Sequence, residues 1–295
     1  MKLLAVIPAR LAATRLPNKP LREVGGAPLV VRVWERVSAL DVADACVVAT
    51  DSPLVVAAVE RAGGRAVLTR ADHPSGTDRV AEVAGRPEFA GYDAVVNVQG
   101  DEPFVSAAAV RGAAGVVGDG AAPIGTAATP APPEVLALAD VVKVVVDDRG
   151  RALYFSRAPI PCLREEGDDA DRRVRDALVR RHLGVYAYAR EALLRWVALP
   201  VHALERVERL EQLRPLAHGL AIGVATVADA GGAGVDTPAD LARADERWRR
   251  LHATPLGAAG GPSAHVAAPV ASGPHSAAEG APTGAPTDAR PEPAR

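Results

Sequence analysis

The chain has no uninterrupted apolar stretch approaching the roughly 18 residues that a spanning helix requires, and no basic segment followed by a long apolar one at its start. Neither a membrane span nor a secretory leader is expected, and the reading is a soluble, cytoplasmic protein. Charge of one sign is missing as well. The formal net charge is -2 over 295 residues, with a pI near 6.4. Nothing in that balance attracts nucleic acid or an anionic membrane globally, so an anion site must be a local arrangement. Cysteine is scarce: Cys46 and Cys162 lack metal-type spacing, and a chain this long needs no staple, so no disulfide is expected. What is present is 48% hydrophobic and 24% charged residues, a globular composition with ample material for a core.

From about Ala253 the residues change to Ala, Gly, Pro, Ser and Thr, with only Leu256, Val266 and Val270 as sizeable apolar side chains. Such a segment cannot bury enough surface to offset its ordering entropy, so residues 253–295 are expected to be a disordered tail after a single domain, 1–252. Within that domain, strands predicted at Leu3–Ile7, Ala45–Thr50, Ala66–Thr69 and Ala94–Val98 alternate with helices at Pro28–Ala39, Pro53–Ala62 and Thr77–Ala84. That alternation signals a doubly wound α/β unit around a mostly parallel sheet. Local punctuation agrees: Asp51 or Ser52 can cap the helix opened by Pro53, and Gly63-Gly64 can stop it.

After residue 100 the pattern loosens. Val141–Val146 and Arg151–Ser156 flank the turn sequence Asp147-Asp148-Arg149-Gly150 and predict a hairpin. A charged stretch, Arg164–Arg181, precedes a strand at His182–Tyr188 and helices at Glu191–Val197 and Ala203–His218. A last strand, Ala221–Val227, leads to a helix from Thr237 to about Leu251. The region from about 140 to 205 reads as a smaller mixed insertion that completes a site and offers an oligomer contact.

Ligands bind an open α/β sheet at the carboxyl ends of its strands. The loop after the first strand, Pro8–Pro20 (PARLAATRLPNKP), lies there and carries Arg10, Arg15 and Lys19. Pro17 and Pro20 fix their own φ and push their predecessors toward extended geometry, so the three cations do not form one helical face. Arg suits bidentate phosphate contacts and Lys acts as a point charge, a combination for a polyphosphate; a solvated basic loop is the plain alternative. Pro8–Pro20 contains no glycine, which excludes a Walker loop or a G-x-G-x-x-G turn.

Asp101, in Asn97–Pro103 (NVQGDEP), follows the strand Ala94–Val98 on the same side, where a carboxylate can hold Mg²⁺ against phosphate oxygens. Asp236, in Gly234–Asp240 (GVDTPAD), would ordinarily be an N-cap, but Thr237, Pro238 and Asp240 can cap that helix by themselves and leave it free. Ser75, Gly76 and Thr77 open another helix, where hydroxyls and main chain can both cap and read the edge of a base.

Taken together, these segments resemble the 3-deoxy-D-manno-octulosonate (KDO) cytidylyltransferases. The matching pieces also include Ala49–Asp51 (ATD), Thr69–Arg79 (TRADHPSGTDR), Val142–Val145 (VKVV), Leu153–Pro161 (LYFSRAPIP), Arg181–Tyr188 (RHLGVYAY) and Leu204–Arg214 (LERVERLEQLR), in the family's order. The resemblance implies a three-layer, nucleotide-diphospho-sugar transferase-like fold and condensation of CTP with KDO to CMP-KDO and pyrophosphate, for lipopolysaccharide inner-core assembly. It implies triphosphate contacts from Arg10, Arg15 and Lys19, nucleotide contacts from Pro8, Ala9, Ser75, Gly76, Thr77 and Gln99, and Mg²⁺ on Asp101 and Asp236. Arg15, Lys19 and Asp101 are the expected catalytic residues.

For the sugar acid the resemblance implies Gln99, Arg157, His182, Tyr186, Glu211 and Gln212. By spacing alone, His182 and Tyr186 share one side of a strand, while Glu211 and Gln212 fall in a charged helix of solvated pairs. The resemblance also implies a homodimer, CTP and KDO as the partners, and no nucleic acid. Cys162-Leu163 and Leu138-Ala139-Asp140 depart from the family's usual residues. An amino-substituted KDO or a sialic acid stays open as substrate. A binding-only protein that has lost turnover is the reading from another class, and retention of both carboxylates and all three cations argues against it.

Overall fold

Strand β1 (Leu3–Ala9) buries every residue, and the side chains divide between two cores: Leu3, Ala5, Ile7 and Ala9 pack into one, Leu4 and Val6 into the other. Period-two alternation requires that division, and a strand buried on both faces needs a helical layer on each. The computed structural model describes residues 1–12, 15–164 and 168–252. The tail expected over 253–295 lies outside the described residues.

A short antiparallel pair, β2 (Glu23–Val24) and β3 (Ala27–Pro28), stands apart from the main sheet. The rest of the main sheet comprises β4 (Ala45–Thr50), β5 (Arg65–Leu68), β6 (Ala94–Asn97), β7 (Ile124–Pro130), β8 (Lys143–Val146), β9 (Ala152–Ser156), β10 (Arg180–Ala189) and β11 (Ile222–Thr226). Its order is β11-β7-β10-β6-β1-β4-β5, with the β8–β9 hairpin paired onto β10. β1 runs parallel to β4 and β6, β4 to β5, and β11 to β7; β10 alone among the inner strands is antiparallel. The sheet is thus doubly wound and mostly parallel, as expected.

Helices α1 (Leu29–Ser38), α2 (Pro53–Arg61), α4 (Ala107–Gly118) and α9 (Pro238–His252) contribute Val30, Val55, Val110 and Ala244 to one core. Helices α3 (Gly76–Gly85), α6 (Arg190–Ala198) and α8 (Leu213–Ala217) contribute Val80, Leu193 and Leu213 to the other. Gly63, with φ +83, ends α2 as the Gly63-Gly64 pair predicts. Both cysteines are free.

Four local expectations change. Ser52 occupies the position before α2 without a side-chain cap, and Asp51 instead accepts the main-chain N–H of Leu11 at 3.0 Å. The helix expected over Ala203–His218 is two: α7 (Ala203–Glu208) ends at Arg209, whose φ of 56 is left-handed, and the chain turns before α8. Within the charged stretch lies α5 (Asp169–Leu178), capped by Asp168, whose side chain accepts the N–H of Asp171 at 2.8 Å. Finally, α4 and β7 fall where no element is predicted. Glycine lets the two pack closely: a Cβ on Gly125 of β7 would stand 2.1 Å from the carbonyl oxygen of Ala113 in α4.

Candidate active site

β1 pairs with β4 on one side and with β6 on the other, so the chain reverses its direction of travel across the sheet between β1 and β6. Such a switch point leaves a crevice beyond the strand ends. Pro8 and Ala9 close β1 there, and Gly100 lies against them: a Cβ on Gly100 would meet the Pro8 carbonyl oxygen at 2.6 Å, so only glycine lets the two loops approach. The crevice opens into a cavity of about 320 Å³ lined by Pro8, Ala9, Arg10, Arg15, Lys19, Ser75, Gly76, Gln99, Asp101, Glu211 and Asp236, among others.

Buried Leu16 anchors the opening loop, and Asn18, left-handed at φ 56, turns it into a one-turn 3-10 helix that starts at Lys19. The Lys19 ammonium then donates to Asp101 Oδ2 at 2.6 Å and to Asp236 Oδ1 at 3.0 Å, while Arg15 Nη2 reaches Asp236 Oδ2 at 3.1 Å. Burial pulls the Lys19 ammonium down, but the two carboxylates outweigh it and raise its pKa above the ordinary value. Asp236 is available because Asp240 Oδ2 accepts Thr237 Oγ1 at 2.7 Å and Thr237 N–H at 2.8 Å, which closes the helix start without it. Main chain completes the placement: Val235 N–H donates to the Asp101 carbonyl at 2.9 Å.

A second cavity of about 310 Å³ shares Gly76, Gln99 and Glu211 with the first and adds Thr77, His182, Tyr186, Arg209 and Gln212. The break after α7 puts Glu211 and Gln212 here, which corrects their reading as members of a charged helix of solvated pairs. Glu211 Oε2 accepts Thr77 Oγ1 at 2.9 Å, and burial raises the Glu211 pKa while that hydrogen bond opposes the rise. Burial alone lowers His182 to about 4, so its imidazole is neutral at ordinary pH, with Nε2 2.9 Å from Thr126 Oγ1. The buried Tyr186 hydroxyl has no hydrogen-bond partner among the described residues. A cavity with a neutral imidazole and an unpaired phenol is built for a polar guest.

Arg157 is the expected sugar-acid residue that lines neither cavity. Its Nε donates to the Glu208 carbonyl at 3.0 Å and its Nη1 to the Ala139 carbonyl at 3.1 Å, which ties the hairpin's end to α7. Conversely, the first cavity includes His73 and Arg79, to which no role was assigned. Arg79 is 3% exposed, donates to Thr69 Oγ1 at 2.5 Å and lies 3.5 Å from Asp51 Oδ2. A signal existed: Arg79 stands four residues after the cap Ser75, on the same helical face.

Residues 4–222 match the cytidylyltransferase family. A 3-deoxy-manno-octulosonate cytidylyltransferase of Gemmatimonas aurantiaca is 63% identical over 253 residues, covering 86% of this chain and 96% of the relative. The enzyme of that name from Yersinia pseudotuberculosis is 48% identical over 244 residues, covering 82% and 97%. Among solved structures, CMP:2-keto-3-deoxy-manno-octonic acid synthetase complexed with CTP matches with a TM-score of 0.77 and 39% identity, over 85% of this chain and 100% of that one. The 4-diphosphocytidyl-2C-methyl-D-erythritol synthase of Anaerococcus prevotii matches with a TM-score of 0.55 at 15% identity, over 84% and 99%, which shows likeness of fold alone.

Proposed function

The chain belongs to the cytidylyltransferase family, and we infer that it transfers CMP from CTP to 3-deoxy-manno-octulosonate, releasing pyrophosphate. The observation that carries this reading is the pair of contiguous cavities. One is rimmed by Arg10, Arg15 and Lys19 with two carboxylates between them, the other is lined by His182, Tyr186, Arg209 and Gln212 among apolar neighbours, and Gly76, Gln99 and Glu211 form their common wall. Two reactants held across a shared wall can meet without diffusing, which is where a transfer gains most of its rate.

We assign CTP to the first cavity, with its base toward Ser75–Thr77 and its phosphates toward the cations, and the sugar acid to the second. The sugar's anomeric hydroxyl attacks the α-phosphorus, the bond to the β-phosphate breaks, and pyrophosphate leaves. Arg15 neutralises charge that builds on the α-phosphate oxygens, and Lys19 holds the departing pyrophosphate. Gln99, at the wall, orients both partners. His182, neutral, offers hydrogen bonds but no charge, so the sugar carboxylate takes its counter-charge from a guanidinium; Arg209 lines the cavity, whereas Arg157 would have to leave its carbonyl partners to reach it.

Two carboxylates already converge on one cation, the Lys19 ammonium, and no group of three or more potential metal-ligating side chains occurs among the described residues. That donor set fits Mg²⁺ bound jointly by protein and substrate phosphates rather than by an all-protein cage. Asp101 and Asp236 would hold it, and when bound it would supply charge neutralisation at the phosphates and acidify the attacking hydroxyl.

The test is pyrophosphate release from purified protein with each nucleoside triphosphate, with and without KDO and Mg²⁺. Release that needs CTP, KDO and Mg²⁺ together is expected; no release above a no-enzyme control would refute the reading. Leu153 in the hairpin and Val174 and Leu178 on α5 are exposed at 60%, 62% and 45%, and α5 buries nothing within the chain. These support a homodimer through this region, which sedimentation should report as twice the chain mass. No helix among the described residues is long and apolar enough to cross a membrane. Supply of activated KDO for the lipopolysaccharide inner core from the cytoplasm is the corresponding role, to be tested by fractionation and by depletion.

A further inference from the structure

Between β5 and α3 the chain runs along the first cavity, and His73, Pro74, Ser75 and Gly76 form part of its wall. The loop is fixed at both ends. Thr69 donates its N–H and Oγ1 to the Thr50 carbonyl at 2.7 and 3.0 Å, and Ser75 accepts the Asp78 N–H as the cap of α3. The stretch between those anchors has a different support. Arg70 N–H donates to Glu82 Oε2 at 3.0 Å, and His73 Nε2 lies 2.5 Å from the same oxygen. The other oxygen, Oε1, accepts Arg86 Nη2 at 2.5 Å, and the same guanidinium nitrogen donates to the carbonyl of Leu68, the last residue of β5. Arg70 also pairs with Asp72, a contact internal to the stretch.

We propose that Glu82 is a positioning residue for the nucleotide: its carboxylate gathers the Arg70 main chain, the His73 ring and Arg86, and so sets where Pro74, Ser75 and Gly76 stand around the base. Glu82 itself is absent from both cavity walls, so it acts through the loop and not by touching the substrate. The charge is well kept for this task. Burial disfavours it, but the hydrogen bonds from Arg86, Arg70 and His73 bring its pKa down to about 2, and the His73 ring is 8% exposed, shielded from competing water. A carboxylate with three donors is a stiffer anchor than any one neutral hydrogen bond. The proposal rests on the assignment of the first cavity to CTP.

The experiment compares wild type, Glu82→Ala, Glu82→Gln and, as a surface control, Glu88→Ala, at a residue that pairs with Arg65 at 3.9 Å. CTP binding is measured by calorimetry without KDO, and KM and kcat by pyrophosphate release. For Glu82→Ala the CTP dissociation constant and KM should rise about tenfold or more, with kcat within about threefold and the KM for KDO unchanged. Glu82→Gln should fall between Ala and wild type, since its amide oxygen still accepts while its charge is gone. It also preserves volume and serves alone if the Ala variant does not fold. Equal CTP affinity in wild type and both Glu82 variants would overturn the proposal and leave the assignment of the cavity standing, whereas absence of CTP binding by wild type would overturn both. Parallel losses in kcat and in both KM values would also overturn it, as the mark of a general scaffold role.

Discussion

Asp101→Asn should reduce CTP-dependent pyrophosphate release by about a thousandfold while leaving the circular dichroism spectrum and the fold intact. Asn has the same shape as Asp, and the hydrogen bond that locates this residue is made by its main chain, from Val235 N–H at 2.9 Å. The loop therefore stays in place. What changes is chemistry: one of two carboxylates that converge on Lys19 at 2.6 and 3.0 Å loses its charge, and a neutral amide oxygen holds Mg²⁺ more weakly than a carboxylate does. Loss of a single preorganised electrostatic contact to a developing charge typically costs about 10² to 10³ in turnover, and loss of metal affinity adds to it. The dependence on Mg²⁺ should shift to higher concentration in the same variant. Turnover within about tenfold of wild type at saturating Mg²⁺ would remove Asp101 from the catalytic machinery.

Lys19→Ala tests the same centre from the opposite sign. Truncation removes the cation that we assign to the leaving pyrophosphate, and turnover should fall by about 10² to 10³. It also leaves Asp101 and Asp236 facing each other without the ammonium between them. Like charges at short range disfavour joint ionisation, and a divalent cation relieves that repulsion. The expected result is a dissociation of two properties: Mg²⁺ binding without nucleotide becomes tighter, and catalysis becomes slower. Isothermal titration with Mg²⁺ alone reads the first and the pyrophosphate assay the second. Looser Mg²⁺ binding in Lys19→Ala would show that the carboxylates do not form a joint cation site. Lys19→Arg should restore only part of the activity, because a planar fork cannot replace a point charge shared by two carboxylates. The wild-type contact is insensitive to ordinary pH. With its folded pKa above 10.5, the stabilisation Lys19 contributes is fully present below that value and is lost only as pH rises through the folded pKa.

Much of this architecture is written locally. The strands at Leu3–Ala9 and Ala45–Thr50, the cap formed by Thr237 and Asp240 that releases Asp236, and the glycine stop at Gly63 all follow from spacing within a few residues. Such features depend on period, on φ and on hydrogen bonds to near neighbours, which a linear reading can evaluate. The loop cations were legible too, because a proline-stiffened basic segment after a buried strand has few ways to avoid the strand-end crevice.

Other features are decided across the chain. Glu211 looks like one more charge on a solvated helix until Arg209 turns left-handed and delivers it to Thr77, 134 residues away in sequence. Arg157 appears free until carbonyls of Glu208 and Ala139 claim its guanidinium, and Glu82 is an ordinary helix acid paired with Arg86 one turn on until Arg70 and His73 of the preceding loop close on it as well. The fit of α4 against β7 rests on Gly125, whose need for a missing Cβ shows only once the Ala113 carbonyl is beside it. By itself, then, the order of residues determined most of the elements, the sheet class and the charges brought to the strand ends. Which charges meet, and which are spent on holding the frame, was decided by tertiary closure, since a Coulomb or hydrogen-bond contact depends on distance through space and carries no trace of separation along the chain.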